Sequence, residues 1–372
     1  MNSKTNNIQI GNLFGIPFYI NPSWFFVLGL ITLSYGGELA RFPQLTGVVP
    51  WILGLFAALL LFASVLAHEL GHSFAAMSQG IEVKSITLFI FGGLAALEKE
   101  SETPLQSLLV AIAGPLVSVL MFGVFTLINA TVPLNAPFHA IFGLLASINL
   151  VLALFNMIPG LPLDGGNVLK AIVWKITNNP NKGVIIAGRV GQFFGWVAVG
   201  LGIFGILNIL PVGNFWTLLI GWFLLQNAGF AAQSATVQDK LDGYIAKDAV
   251  IPHTPLVSAD LTLREFANQY VIGKEQWRKF LVVDEDKQLL GEILVEDLKT
   301  VTTSDWVTVK VASLVKPVSQ RTKIAADLSL LEVVKLIETQ NIQEMVVVQD
   351  QEVVGLLEKA SILNLLQQET QS

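Results

Sequence analysis

Read for the spacing of apolar and polar positions alone, the 372-residue chain changes character near residue 235. Upstream, apolar residues run on with no polar face recurring at helical period, so these segments need an apolar surround on every side. Six runs are long enough to cross a hydrocarbon core of about 30 Å at about 1.5 Å per helical residue. They lie near 17–36, 50–77, 104–130, 138–158, 184–210 and 214–232. A further apolar stretch, Ser85 to Leu97, is too short to span, β-branched in its first half and broken by Gly92-Gly93. It predicts a hairpin at membrane depth, packed on protein or lining a wet cavity, because irregular backbone is not tolerated against lipid. Downstream, short apolar strands alternate with amphipathic stretches and turn residues, which predicts a small α/β domain.

Composition sharpens this division. The chain is 53% hydrophobic and only 13% charged, with mean hydropathy +0.62, whereas soluble domains carry about a quarter charged residues. Residues 1–235 hold 8 basic and 7 acidic side chains, while residues 236–372 hold 14 and 21. A membrane domain over 1–235 followed by an acidic soluble domain over 236–372, large enough for its own core, is therefore expected. With no cysteine, disulfides, thiolate metal sites and cysteine nucleophiles are excluded, so any metal must be held by His, Asp or Glu. No basic run or nucleic-acid motif occurs, and nucleic acid is not an expected partner. Six spans put both termini on one side. The loops on that side carry Lys4, Lys84, Lys99, Lys170, Lys175 and Lys182 against Arg41 alone on the other, with Arg189 able to snorkel to the same face. The positive-inside rule then predicts cytoplasmic termini. No cleavable leader is expected.

The second apolar run contains His68-Glu69-Leu70-Gly71-His72. On a helix, His68 and His72 stand one turn apart on one face, close enough for both imidazoles to bind one zinc ion. Glu69 neighbours that face and can exchange a proton with water or with a leaving amine. Three ionisable groups in an apolar helix cost several kcal/mol unless paired, which marks them as functional candidates. Trp51 to His68 is 17 residues, about 25 Å of helix, so the pair sits inside the bilayer near its cytoplasmic boundary. A catalytic zinc wants a third ligand, and Asp164 is the sole acidic residue between Glu102 and Asp239. It follows Pro159-Gly160-Leu161-Pro162-Leu163 and precedes Gly165-Gly166. Prolines that stop the fourth span and glycines that permit a tight turn would present it inward; the alternative is a solvated Asp-Gly turn.

These residues resemble the intramembrane site-2 zinc metalloproteases, peptidase family M50. The resemblance rests on His68 to His72, on Asn156-x-x-Pro159-x-x-Pro162-Leu163-Asp164-Gly165-Gly166, on Phe91-Gly92-Gly93 and on Gly114-Pro115, and covers roughly residues 10–230. It implies one zinc ion on His68, His72 and Asp164, Glu69 as catalytic acid/base, and Asn156 as a polar contact near the substrate carbonyl. Ser118 stands where many members have Asn, which touches only a secondary helix contact. Gly92 and Gly93 could expose a strand edge that holds an extended substrate peptide. His139 is a bilayer away from the metal, His253 reads as a loop residue, Asn149 as a bond across helices, and Gly188, Gly191 and Gly195 as close helix packing.

Residues 245–367 contain a repeat with a period near 65. Asp260-Leu-Thr-Leu matches Asp327-Leu-Ser-Leu, Phe280 to Asp284 matches Met345 to Gln349, Gly291 to Leu294 matches Gly355 to Glu358, and Val250-Ile-Pro252 matches Val315-Lys-Pro317. Each copy reads as a short strand, an amphipathic helix, two strands around a turn and a helix, over about 245–300 and 312–367. The arrangement resembles a tandem pair of cystathionine-β-synthase (CBS) domains, which implies either an adenine nucleotide between the copies or a structural, dimerising role. Asp297 stands where a ribose-binding Asp would, whereas Ser361 fills the matching place in the second copy. The expected fold is thus a polytopic α-helical membrane domain of about six transmembrane helices with a membrane-depth hairpin, followed by a cytosolic α/β CBS pair. The expected function is regulated intramembrane proteolysis at the cell membrane. Its expected partners are the lipid bilayer, single-span substrates such as membrane-anchored transcriptional regulators, and a second copy through the pair. The competing class, an inactive scaffold or metal carrier gated by the pair, would want polar groups along a whole transbilayer path, whereas here they cluster at one depth.

Overall fold

Phe14 and Gly15 both adopt positive φ, 53° and 86°, the two-residue turn that matches strand twist in a hairpin. The first apolar residues accordingly form strands, β1 (Ile8–Leu13) and β2 (Ile16–Ile20), with Leu13 opposite Ile16. The expected span near 17–36 is corrected: Asn21-Pro22 ends β2, and helix α1 (Ser23–Leu39) is only 17 residues long. This computed structural model describes residues 7–90, 92–251, 254, 256–273, 278–319, 322–350 and 352–368. Lys4, Phe91, Pro252 and His253 lie outside them. Two compact units divide the chain, residues 1–236 and 237–372.

In the first unit, α2 (Val49–Met77) is followed by β3 (Val83–Phe89) and β4 (Gly92–Leu97). The hairpin expected over 85–97 is half of a four-stranded sheet in the order β1-β2-β3-β4, in which β2 and β3 run parallel. Ile16, Phe18, Ile20, Ile86 and Leu88 pack from the sheet against Trp24 of α1 and Phe62 of α2. β4 is left at the edge. Then come α3 (Pro104–Thr131), α4 (Ala136–Asn156), α5 (Asp164–Thr177), α6 (Pro180–Ile206) and α7 (Phe215–Leu241). Among the described residues, five helices (α2, α3, α4, α6 and α7) are long and apolar enough to cross a membrane. Helix α5 was not expected. Its amphipathic period lies behind Pro159, Gly160, Pro162 and two further glycines, all of which read as turn residues.

Small residues set the helix spacing. A Cβ on Gly188 would lie 2.8 Å from the Cβ of Ala232, one on Gly195 2.8 Å from Leu225 Cγ, and one on Gly202 2.5 Å from the Leu218 amide nitrogen. A stripe repeating every seven residues thus seats α6 on α7 at a separation that a larger side chain would forbid. Gly191, between these, packs against the Leu161 carbonyl of the loop before α5. Asn149 crosses from α4 to α2, its Nδ2 donating to Ser64 Oγ at 3.1 Å.

In the second unit, β5 (Leu256–Ser258), α8 (Leu263–Phe266), β6 (Lys279–Val283) and β7 (Leu289–Leu294) form one copy. The other comprises β8 (Lys323–Ala325), α9 (Leu330–Gln340), β9 (Glu344–Gln349), β10 (Glu352–Glu358) and α10 (Lys359–Gln368). Both sheets pair their first two strands parallel and their last two antiparallel. The copies are not equal. α8 continues as a π turn (Ala267–Val271), and β7 leads into a 3-10 turn (Val295–Thr300) where the second copy has α10. The repeat boundaries also need correction, because each leading segment completes the other copy. Ala246 and Lys247 donate backbone hydrogen bonds to Leu328 and Ala326, while Val311 and Ala312 donate to Leu261 and Ala259. Ala246 and Ala249 accordingly lie in the core of the second copy and Val311 in that of the first.

Candidate metal centre and active site

His68 is buried on α2, and His72 follows one turn later on the same face. Both rings are anchored at Nδ1 by α3. Val110 O accepts from His72 Nδ1 at 2.7 Å, and Ser118 Oγ lies 2.9 Å from His68 Nδ1. Glycines make this approach possible: a Cβ on Gly71 would lie 2.9 Å from Ala113 O, and one on Gly114 would strike His72 Nε2. The Gly114-Pro115 pair therefore bears directly on the site. Ser118, expected to matter only for helix packing, touches the imidazole itself.

Asp164 arrives from the other side. It is not in a turn but is the first residue of α5, which corrects the expectation of a loop. Gly165 and Gly166 also serve packing: a Cβ on either would collide with backbone of the preceding loop, at Met157 and Gly160 respectively. The helix start is thus folded tightly back on the chain that leaves α4. Asp164 Oδ2 then lies 3.1 Å from His68 Nε2, and Oδ1 3.3 Å from His72 Nε2. The two Nε2 atoms are 3.2 Å apart, and Asn156 Nδ2, at the end of α4, is 3.5 Å from His68 Nε2.

This donor set fits a zinc ion. The Val110 carbonyl can only accept, so His72 carries a proton on Nδ1, which leaves Nε2 able to offer its lone pair inward. Two imidazole nitrogens and a carboxylate this close need a proton or a metal cation between them, and all three can turn a lone pair to a shared metal. One ligand atom from each of the three residues can be chosen with all within 4.8 Å of one another. Two His and one carboxylate with a position left open is a ligand set of catalytic zinc. Glu69 lies beside this cluster on the same cavity, a space of about 780 Å³. Its side chain runs against β4, where a Cβ on Gly93 would strike Glu69 Cγ and stand 2.9 Å from Oε1. Gly92, Gly93, Leu94 and Ala95 line the cavity, as do Trp216, Ile220, Phe223 and Leu224 of α7. This α7 wall is not legible in the sequence, because the helix reads as uniformly apolar. Lys170, which also lines the cavity and pairs with Glu100 at 3.0 Å, carries no motif that marks it. His139, by contrast, bonds Asn129 near the start of α4.

Asp297 is placed differently. Its Oδ2 accepts from the Leu294 amide at 3.0 Å and its Oδ1 meets Lys316 Nζ at 2.5 Å. That ammonium holds the Asp297 carboxyl below its ordinary range. Ser361 performs the matching duty, its Oγ accepting from the Glu358 amide at 3.1 Å. A cleft of about 710 Å³ between the copies is lined by Arg278, Lys279, Glu344, Glu358 and Ser361, and Asp297 is not among its lining residues. Burial works against the Lys279 charge, but Glu292 and Glu344 raise its pKa.

Residues 56–134 and 121–198 match the model of peptidase family M50. The chain is 63% identical to the Synechocystis protein named "Putative zinc metalloprotease sll0528", covering 97% of this chain and 96% of that one. Among solved structures it is similar to the site-2 protease from Methanocaldococcus jannaschii, at 26% identity, 61% of this chain, 95% of that one and a TM-score of 0.45. It is also similar to the CBS domain of a bacterial CNNM/CorC family Mg²⁺ transporter solved with ATP, at 14% identity, 35% of this chain, 92% of that one and a TM-score of 0.29.

Proposed function

This chain belongs to peptidase family M50, a family of zinc metalloproteases, and on that premise we propose that it hydrolyses a peptide bond in or beside the transmembrane segment of single-span membrane proteins. The observation that carries this reading is the convergence of His68, His72 and Asp164, with Glu69 alongside, on a cavity walled by apolar helices and by the open edge of β4. Zinc, when bound, supplies Lewis acidity that sharpens a water nucleophile and polarises the scissile carbonyl. The chain's own groups do the rest. Glu69 takes the proton of the attacking water and delivers it to the leaving amine. The Asn156 amide, beside His68 at the end of α4, donates to the carbonyl oxygen in this reading. The edge of β4 at Gly92 and Gly93 holds the substrate unwound as an added strand, since a helical substrate hides its carbonyls in its own hydrogen bonds.

Helix α1, at 17 residues, is at the short end of what crosses a bilayer. Counted as a sixth crossing it puts both termini on one side of the cell membrane, and the lysines of the loops on that side mark it as cytoplasmic. The repeat pair is proposed to tune proteolysis, either by adenine nucleotide in the Arg278–Ser361 cleft or by pairing with a second copy. The deciding experiment incubates the detergent-solubilised full chain with candidate single-span regulators, with and without zinc chelator, beside Glu69→Gln. Chelator-sensitive cleavage that Glu69→Gln lacks is the expected result; cleavage that survives both overturns the assignment.

A further inference from the structure

Helix α5 presents more than Asp164 to the cavity. Asn167 and Lys170 also line it, at steps of three residues, so one face of the helix runs from the metal cluster to the mouth. Most of the remaining lining is apolar. Among its described residues Lys170 is the sole Lys or Arg. The Lys170 side chain is 15% exposed, and the carboxylate that pairs with it belongs to Glu100, which is 88% exposed on the loop before α3. A half-sunk ammonium is thus held by a partner that solvent and salt can readily take away.

We propose that Lys170 reads an acidic residue of the substrate close to the scissile bond, exchanging Glu100 for the substrate carboxylate as the peptide enters. The inference rests on the peptidase reading and deepens it. A carboxylate delivered with an apolar segment displaces water from the mouth, so it meets Lys170 in a lower dielectric than Glu100 does. Six residues of helix separate Asp164 from Lys170, an axial distance of about 9 Å. An extended peptide advances about 3.3 Å per residue, so the recognised residue stands about three positions from the bond that is cut. Lys170 makes the enzyme selective and takes no part in proton transfer.

The test uses the full-length protein in bicelles of neutral lipid and a panel of single-span substrates. Their spans are Leu/Ala-rich with a helix-loosening Asn-Gly pair, and they differ in one Asp, Asn or Lys moved through four positions on each side of the cleaved bond. Wild type is expected to favour Asp over Lys on the order of tenfold in kcat/KM, peaking about three residues from the bond. Lys170→Glu should invert the preference and Lys170→Gln abolish it, each with zinc content unchanged. Glu100→Gln should widen it, since the competitor is removed. If neither variant folds with full zinc, the position of the Asp peak in wild type and the response to Glu100→Gln still decide. Cleavage indifferent to charge at every position overturns the inference and leaves the peptidase reading standing. No cleavage of any panel member, in wild type as in Glu69→Gln, counts against the peptidase reading and takes the inference with it.

Discussion

The metal cluster of the first unit and the ion pairs of the second arrange polar side chains in opposite ways. In the first, His68, His72 and Asp164 are drawn from two helices far apart in sequence and turn their ligand atoms toward one another. In the second, Asp297 faces Lys316, Lys279 faces Glu292 and Glu344, and Lys310 faces Asp260. The first cluster could hold a metal ion, while the second set is satisfied within the chain. Polar groups that complete each other need no ligand, and titratable groups crowded at a cavity are candidates for one. The contrast also explains why a carboxylate is a strong functional signal in one unit and a weak one in the other.

The sharpest way to break this comparison is at Glu69. Glu69→Gln keeps the volume but cannot take a proton, so hydrolysis should fall about 10³-fold while zinc stays bound. Equal zinc by elemental analysis together with lost cleavage is the expected pair of readings. Asp164→Ala should lose both, because it removes one of the three proposed ligands; full zinc in that variant would put the third ligand elsewhere, with Asn156 next in line.

A second substitution tests the cavity wall. A methyl group at Gly93 must displace the Glu69 side chain at Cγ and Cδ, near its root where it has little freedom to yield. Gly93→Ala is expected to lower kcat by about 10²-fold through misplacement of the base, again with zinc retained. If kcat holds while KM rises, Gly93 serves substrate docking on the strand edge and not the position of Glu69.

The sequence showed the chemistry of the centre more readily than its scaffolding, for a physical reason. His68, Glu69 and His72 are one helical turn, and their spacing is read directly from the chain. Asp164 was legible as an isolated acid but not as the start of a helix. The signal that hid α5 is the same signal that builds it: the glycines at 165 and 166 look like turn residues, yet they are there because no Cβ fits against Met157 and Gly160. The β1–β2 hairpin was missed because its apolar residues merge into those of α1, and only Phe14-Gly15 and Asn21-Pro22 mark the breaks. In the second unit the repeat was visible as matched anchors. The crossing of the leading segments was not, since exchange between copies that share their anchors leaves every local pattern unchanged. Asp297 illustrates the limit most clearly, because an acid at the first turn after a strand has the same sequence signature as a cap or as a ribose ligand.

Ser118 sharpens the comparison at the ligand shell. Its hydroxyl sets the orientation of His68, so Ser118→Ala should weaken zinc affinity by about 10- to 100-fold, measured by competition with a chromophoric chelator. Asn or Thr in its place offers an acceptor again and should restore much of the loss. Unchanged affinity in the Ala variant would reduce Ser118 to helix packing.

The smallest effect lies in the second unit and tests its self-sufficiency. Asp297 caps the Leu294 amide and pairs with Lys316, whose side chain is 57% exposed. Asn can cap as well as Asp, so Asp297→Asn isolates the charge and should cost only about 0.5 kcal/mol at neutral pH, because the exposed ammonium is well screened. Asp297→Ala removes the cap too and should cost about 1 kcal/mol more. The Asp297 carboxyl titrates below its ordinary value of 3.8 in the fold. Its contribution is therefore complete above that value and is lost as the pH falls through the lower, folded-state value. Hydrogen exchange at the Leu294 amide of the full chain follows this locally. Wild type and Asp297→Asn should differ at pH 6 and converge toward pH 3, while Asp297→Ala exchanges faster at both. If instead Asp297→Asn protects Leu294 as wild type does at pH 6 but weakens nucleotide binding measured by calorimetry, Asp297 serves a ligand after all, and the contrast between the two units narrows to the metal centre alone.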